Sequence, residues 1–385
     1  MPLHGYEKPA MLSPATRSFE VRLEPLPDLE VLRLRWEELE SRSHCSVFLS
    51  WLWIGTWLKL ICPRRTARLA SVYLNKRLVG LGIVTARRRF FGLGPTHLRL
   101  HQVGDRALDS LTIEFNGLLS EAGLESDTLV AFVDHLHRHE RHWLTLFLPG
   151  IEVDRIPLEQ MRAPDLRLRM FKRPTPYIDL TGLREDHGLY LSSVLGRNTR
   201  ARVRRTARRL GERWGELQVA VAATAQERLA FFDGLVALHQ AHWTAEAGEQ
   251  GAFADPRIVA FHRQLIADSE PGHGAQLLRF QAGGHVVGYL YHLVSRGVVC
   301  FYQAGIDYPR IGDCGSPGLL LLTEAVQHAI QEGQSRYELM AGDMDYKRVL
   351  AMAEGRMAWL SVDRVGLRTR VMDALRGRKH GTVPA

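Results

Sequence analysis

The sequence predicts an α+β (mixed α/β) protein of two tandem domains, each a mostly antiparallel twisted sheet flanked by helices. Three observations predict it. A chain of 385 residues exceeds one ordinary core. Between Leu277 and Met340, three strand-like runs, a glycine-rich loop, a helix and a returning strand follow one another. A similar order, less sharply drawn, runs from Phe19 to Leu148. The divisions are a leader at 1–18, an N-terminal domain at 19–165, a C-terminal domain at 166–363 and a basic tail at 364–385.

In the first half, Phe19–Glu24 reads as a strand stopped by Pro25 and Pro27, which cannot donate to a ladder. Leu29–Ser41 is a helix with Leu32, Trp36 and Leu39 at helical spacing, and Val47–Ile61 a second whose Trp53, Trp57 and Leu60 form a core stripe. Arg68–Leu74 and Leu78–Thr85 form a hairpin turning at Asn75-Lys76-Arg77. A run at Leu98–Val103, a helix at Asp127–His139 and a strand at Trp143–Leu148 follow. Ile113–Leu124 offers Asn116-Gly117 but no anion cradle, so this half is expected to bind no cofactor. His135, His137, His139 and His142 crowd the end of that helix; His135, His139 and His142 have zinc-ligand spacing, yet a solvated cationic helix end is the simpler reading. Arg87-Arg88-Arg89 before Phe90-Phe91 reads first as an exposed strand end, with phosphate or carrier-protein contact as the alternative.

A proline-bearing linker is expected near Ile151–Pro176, then an edge strand at Pro174–Leu180. A helix from Asp186 to Arg213 buries Val203, Ala207, Leu210 and Trp214. Arg197, Arg200, Arg202, Arg204, Arg205, Arg208 and Arg209 crowd its other faces; a solvated face and an acidic-partner surface both fit. A strand (Gln218–Ala222), a helix (Ala225–Trp243), a glycine-rich loop (Gly248–Phe253) and a helix (Pro256–Asp268) lead into the clearest unit. There Leu277–Gln281, Val286–Val294 and Val298–Ile306 are joined by Gly283-Gly284 and Arg296-Gly297 turns. After the loop Asp307–Gly315, Ser316 caps a helix with Pro317 first and Gly333 just past its end. Strands at Tyr337–Met340 and Met357–Asp363 close the fold. The tail Val365–Arg378, with Leu367, Val371 and Leu375 opposite Arg368, Arg370 and Arg376, is expected to dock on the body.

This order makes the strands ending at Ile306 and Met340 parallel neighbours, with the loop at a helix N-terminus that favours an anion. Gly312, Gly315 and Gly318 allow close approach, and Ser316 and Arg310 add donors. Candidate catalytic groups lie on these two strands or in the turn after them: Tyr302, Gln303, Glu338 and the turn residues Asp343, Asp345 and Lys347. Tyr289 and Tyr291 alternate with His292, and either set could face an acceptor pocket walled by His239 and Trp243.

Phe301-Tyr302-Gln303-Ala304-Gly305, Ser316-Pro317-Gly318 with its leucines, and Tyr346-Lys347 beyond Gly342 resemble the C-terminal half of GNAT acyltransferases. The tandem-GNAT proteins similar to Fem-type peptidoglycan aminoacyltransferases and CelD-like acyltransferases of cellulose biosynthesis are the nearer likeness. Arg197–Arg209 and His239–Trp243 with Phe253 match the same pattern, which covers about Tyr177–Leu350. The resemblance implies two GNAT-like domains, the first degenerate, and N-acyl transfer from acyl-CoA, without a metal, to a small-molecule amine such as an amino sugar, an amino acid or an envelope polysaccharide precursor. It also implies that Lys347 meets a substrate phosphate or carboxylate, or charge developing in the transition state. In Arg310-Ile-Gly-Asp-Cys-Gly-Ser-Pro-Gly the spacing departs from the family's Q/R-x-x-G-x-G/A. That leaves an acidic acyl-carrier protein, or less readily aminoacyl-tRNA, as donor, and a non-catalytic envelope-pathway module as a further reading.

Composition is compatible with all of this. Apolar residues make up 45% and charged residues 24%, as in soluble globular proteins, and a net charge of +8 suits an acidic partner. Cys45, Cys62, Cys300 and Cys314 have no paired spacing, so a reducing compartment is expected. The first twenty residues lack a secretory core, and Ser50, Gly55, Thr56 and Lys59 interrupt the most apolar run. A cytoplasmic protein with no transmembrane segment is expected, at most peripheral to the inner membrane face, with a homodimer left open.

Overall fold

The computed structural model describes residues 18–88, 96–111, 113–140, 142–185, 190–247 and 251–366. The leader to residue 17, Arg89 to Phe91, the helix start at Asp186, the loop opening at Gly248 and the tail from Leu367 lie outside these residues.

The first half contains β1 (Phe19–Pro25), α1 (Leu29–Ser41), α2 (Trp51–Leu60), β2 (Ala67–Leu74), β3 (Arg77–Arg88), β4 (Thr96–Leu100), β5 (Leu119–Ser120), α3 (Glu125–His139) and β6 (Trp143–Glu152). The second begins with β7 (Leu166–Asp179), α4 (Thr181–Glu185), α5 (Tyr190–Ser193), α6 (Arg197–Trp214), β8 (Leu217–Val221), α7 (Ala225–Ala247) and α8 (Pro256–Ala267). It ends with β9 (Gly274–Ala282), β10 (His285–Ser295), β11 (Val298–Ile306), α9 (Tyr308–Ile311), α10 (Pro317–Gln331), β12 (Arg336–Glu338), α11 (Asp345–Leu350) and β13 (Ala353–Arg364).

Local chemistry explains the boundaries. Asp28 caps α1 by accepting the Glu30 N–H at 2.8 Å. Asn75 and Lys76 take positive φ, 50° and 66°, giving a two-residue hairpin turn that starts β3 at Arg77. The expected long helix is instead the short α5 followed by α6. Its buried stripe is Val203, Thr206 and Leu210, with Thr206 in place of the exposed Ala207.

The expected linker and edge strand at 151–180 are corrected. Leu166–Asp179 is one long strand inside the sheet, hydrogen-bonded to β13 on one side and β12 on the other. Pro174 and Pro176 are tolerated there because their backbone faces the side where β12 has ended. On that side only their carbonyls are used, by Gly342 and Leu339.

Among the described residues the strands form one continuous sheet, ordered β1-β2-β3-β4-β6-β13-β7-β12-β11-β10-β9-β8, with β5 paired to β3. β4–β6 and β11–β12 are parallel. β13, last in sequence, lies between β6 and β7 and knits the halves together. Alternation along the strands divides the core. Leu69 and Leu277 point into one shared cluster with α1, α2, α7 and α8; Ala70 joins a cluster with α3, and Leu278 one with α6 and α10. In the shared core, Trp53 of the first half meets Phe261 of the second edge-on, ring centroids 4.9 Å apart.

Candidate functional site

The parallel pairing of β11 and β12 is short. Val298, Val299 and Cys300 lie opposite Arg336, Tyr337 and Glu338, and there the ladder stops. β11 continues to Ile306, while Leu339 and Gly342 donate instead to Pro176 and Pro174. Met340, at φ 64°, sits at this departure. The gap opens into a cavity of about 620 Å³ lined from both faces of the sheet. Leu290, Phe301, Leu319 and Leu322 line one side, and Tyr302, His239 and Trp243 the other.

Glu114 and Lys347 bring two buried charges to the wall of this cavity. Lys347, 3% exposed, donates through Nζ to the carbonyls of Met340 (3.0 Å) and Ala341 (2.9 Å). Glu114 accepts the Ala341 N–H at 2.7 Å. Burial pushes the Lys347 ammonium down to about 8, partly opposed by the Glu114 charge, and burial raises the Glu114 carboxyl. The first half, expected only to bind no cofactor, thus supplies a buried carboxyl group to the wall of the cavity. Nothing in the local pattern around Glu114 marks it; its only signal is an isolated carboxylate in an apolar run.

The start of α10 forms the other end. The Ser316 N–H is bonded to Thr206 Oγ1 (3.0 Å) and the Gly315 N–H to the Gly312 carbonyl (3.3 Å), while Pro317 has no N–H. Among the described residues, no hydrogen bond uses the Gly318 or Leu319 amides. Arg202 of α6 donates to Ser316 Oγ at 2.9 Å and lines the cavity. Two amides, one hydroxyl and one guanidinium therefore remain for an anion, enough for a single phosphate group. Gly318 is packed closely, since a Cβ there would lie 3.3 Å from the Tyr308 hydroxyl oxygen.

Of the residues singled out from sequence, Lys347, Tyr302, Gln303, His239, Trp243, Gly315, Ser316 and Gly318 line this one cavity. His239 is fixed as the Nδ1–H tautomer: Nδ1 donates to the Ala304 carbonyl (3.0 Å) and Nε2 accepts from the Ala252 N–H (3.3 Å). Burial lowers its pKa, so it is a neutral wall residue with both nitrogens engaged.

The other candidates lie elsewhere. His292 lies on the same sheet face as Phe301 but outside the cavity, bonded to the Tyr337 hydroxyl (2.8 Å) and to Gln276 (3.2 Å), and burial lowers it to about 3. Glu338 points away from the gap, pairs with Arg336 and lines a separate small cavity with Cys45 and Cys300. Tyr291 is buried behind Tyr302 and hydrogen-bonds His262 Nδ1 (3.2 Å); Tyr289 packs on Phe231. Arg310 pairs with Asp307 at 3.5 Å, Gly312 lies open, and Asp343 is exposed beside Arg348. Arg202 takes the place expected for Arg310. Of the histidine cluster, His137 pairs with Asp165 (2.9 Å), and His135 and His139 stack at 4.8 Å.

Chemically, the cavity offers a buried carboxylate to accept a proton, an ammonium to meet developing negative charge, and an anion seat about a helix start. Residues 197–348 match the model for the acetyltransferase (GNAT) domain, Acetyltransf_6. No curated protein matches the sequence. Among solved structures, FemX is similar with a TM-score of 0.56 at 11% identity, over 88% of this chain and 97% of that one. The C-terminal domain (DUF2156) of a putative lysylphosphatidylglycerol synthetase from Agrobacterium fabrum gives 0.52 at 12% identity, covering 93% and 100%. L-PGS from Bacillus licheniformis gives 0.52 at 12%, covering 92% and 98%. These likenesses establish a shared fold across both halves.

Proposed function

We propose, starting from the acetyltransferase (GNAT) domain that residues 197–348 form, that this chain moves an acyl group from a pantetheine-type thioester to the amine of a polar acceptor. The acceptor classes that fit are an amino sugar, an amino acid or an envelope polysaccharide precursor. The observation that carries the reading is the gap between β11 and β12, opening on the buried Glu114 and Lys347, both bonded to the Ala341 backbone, with an anion seat at Ser316–Leu319.

In this reading the phosphate end of the donor lies on the Gly318 and Leu319 amides and Arg202. The acyl arm follows the edge of β11 beyond Cys300, whose backbone has no strand partner on the gap side. The acceptor amine enters past His239 and Trp243 and attacks the thioester carbon; the C–N bond forms and the C–S bond breaks. Glu114 takes the amine proton, directly or through one water, and Lys347 stabilises the oxyanion. The thiolate leaves and is reprotonated.

The test follows thiol release from acetyl-CoA, octanoyl-CoA and octanoyl-loaded acyl-carrier protein against a panel of amines. Glu114→Gln keeps an oxygen for the Ala341 N–H, so the fold should hold. Its kcat should fall by about 100-fold or more. Wild-type turnover in this variant would remove Glu114 from the chemistry, and absence of thiol release by the unaltered protein with every amine would remove the transferase reading.

A further inference from the structure

Resting on that reading of the cleft, we propose that the thioester is presented by an acidic acyl-carrier protein docked along one arginine stripe of α6, rather than by free coenzyme A.

Two independent observations converge. The first is the capacity of the anion seat. Coenzyme A carries a pyrophosphate and a further phosphate on its ribose. With the Gly315 and Ser316 amides bonded within the chain and Pro317 lacking one, the seat holds donors for one phosphate. A phosphopantetheine arm on a carrier protein has one phosphate, a diester to a serine, and asks for no more.

The second is what lies beside the seat. On α6, residues 202, 205, 209 and 213 recur at the spacing of one helical face, spanning about 16 Å at 1.5 Å per residue. Arg202 at one end touches Ser316 and Arg213 at the other pairs with Asp313, at 2.6 Å, in the loop before α10. Arg209 acts electrostatically on Cys314 in the same loop. The stripe therefore runs along the loop that leads into the seat. Arg205 and Arg209 are exposed, and among the described residues neither makes an ion pair. An exposed cationic stripe that begins at a phosphate seat matches a protein whose acidic face surrounds its own phosphodiester. RNA fits less well, because the stripe carries arginines without interleaved aromatic platforms for bases.

The transfer balances as before. The amine nitrogen bonds to the acyl carbon, the C–S bond breaks, and the carrier leaves as its free pantetheine thiol carrying one proton. The test measures binding of three probes to the full chain by fluorescence anisotropy at low and physiological ionic strength: octanoyl-loaded bacterial acyl-carrier protein, octanoyl-CoA and unfractionated tRNA. The carrier should bind at least about tenfold tighter than octanoyl-CoA. Arg205→Glu with Arg209→Glu should weaken the carrier by about tenfold or more, leave octanoyl-CoA within about twofold and leave Tm unchanged. Octanoyl-CoA binding as tightly as the carrier, or a carrier affinity indifferent to the charge reversal, overturns the proposal and leaves the cleft reading standing. Tighter, salt-sensitive binding of tRNA, lost in the same variant, reassigns the stripe to RNA. Binding of neither thioester overturns both readings.

Discussion

Truncating Lys347 alone removes a charge that favours the ionised Glu114 and leaves two carbonyls without their donor, so Lys347→Ala should cost about 3 kcal/mol of stability as well as activity. Removing both charges separates the two effects. Lys347→Met with Glu114→Gln should recover much of that stability in a denaturant melt while turnover stays lost; recovery of neither would make the pair purely structural. Glu338 offers a second check. Burial raises its carboxyl from 4.5 to about 7, opposed by Arg336. The folded chain then binds more protons than the unfolded one between those values. The stability Glu338 permits is fully present below about pH 4.5 and is lost as pH rises through about 7. Glu338→Gln should flatten the decline in Tm between about pH 5 and pH 8, and an unchanged slope would refute the assignment. Lys347, Tyr302, Gln303 and Ser316 were legible because each lies within a contiguous stretch, strand, turn or helix start, that resembles the family's pattern. Glu114 was not, because the backbone it bonds, at Ala341, arrives from the far half of the chain. Glu338 and His292 were misplaced because alternation identifies which residues share a face but not where along the strands the gap begins.

At the scale of elements, α7 crosses β11 with almost no clearance. A Cβ on Gly305 would lie 2.4 Å from the Leu235 carbonyl oxygen. Gly305→Ala must push α7 outward, carrying His239 off the Ala304 carbonyl and widening the acceptor wall. A loss of about 1–3 kcal/mol is expected, together with a raised KM for the amine, read by thermal melt and steady-state assay. Hairpin turns were legible in sequence, since Asn75-Lys76, Gly283-Gly284 and Arg296-Gly297 turn as their φ requirements dictate, whereas Ser316, expected to cap α10, makes no capping bond with its side chain. β7 was not. Two prolines argue for an edge, and only the tertiary fact that β12 ends beside them makes an interior position tolerable.

For the whole molecule, β13 carries the C-terminal segment into the seam between β6 and β7, and helices of both halves share one core. Unfolding should therefore be a single calorimetric transition. A chain ending at Ala351 should lose both halves together, exposing the facing edges of β6 and β7. Two resolved transitions would show that the halves are energetically separate.

The passage between β11 and β12 is lined from both sides of the sheet, like a slot cut through a wall rather than a bowl pressed into it. Donor and acceptor then have separate doors and need not queue. Initial-rate plots should intersect, as for a ternary complex, with either reactant able to bind first and neither product obliged to leave before the other reactant enters.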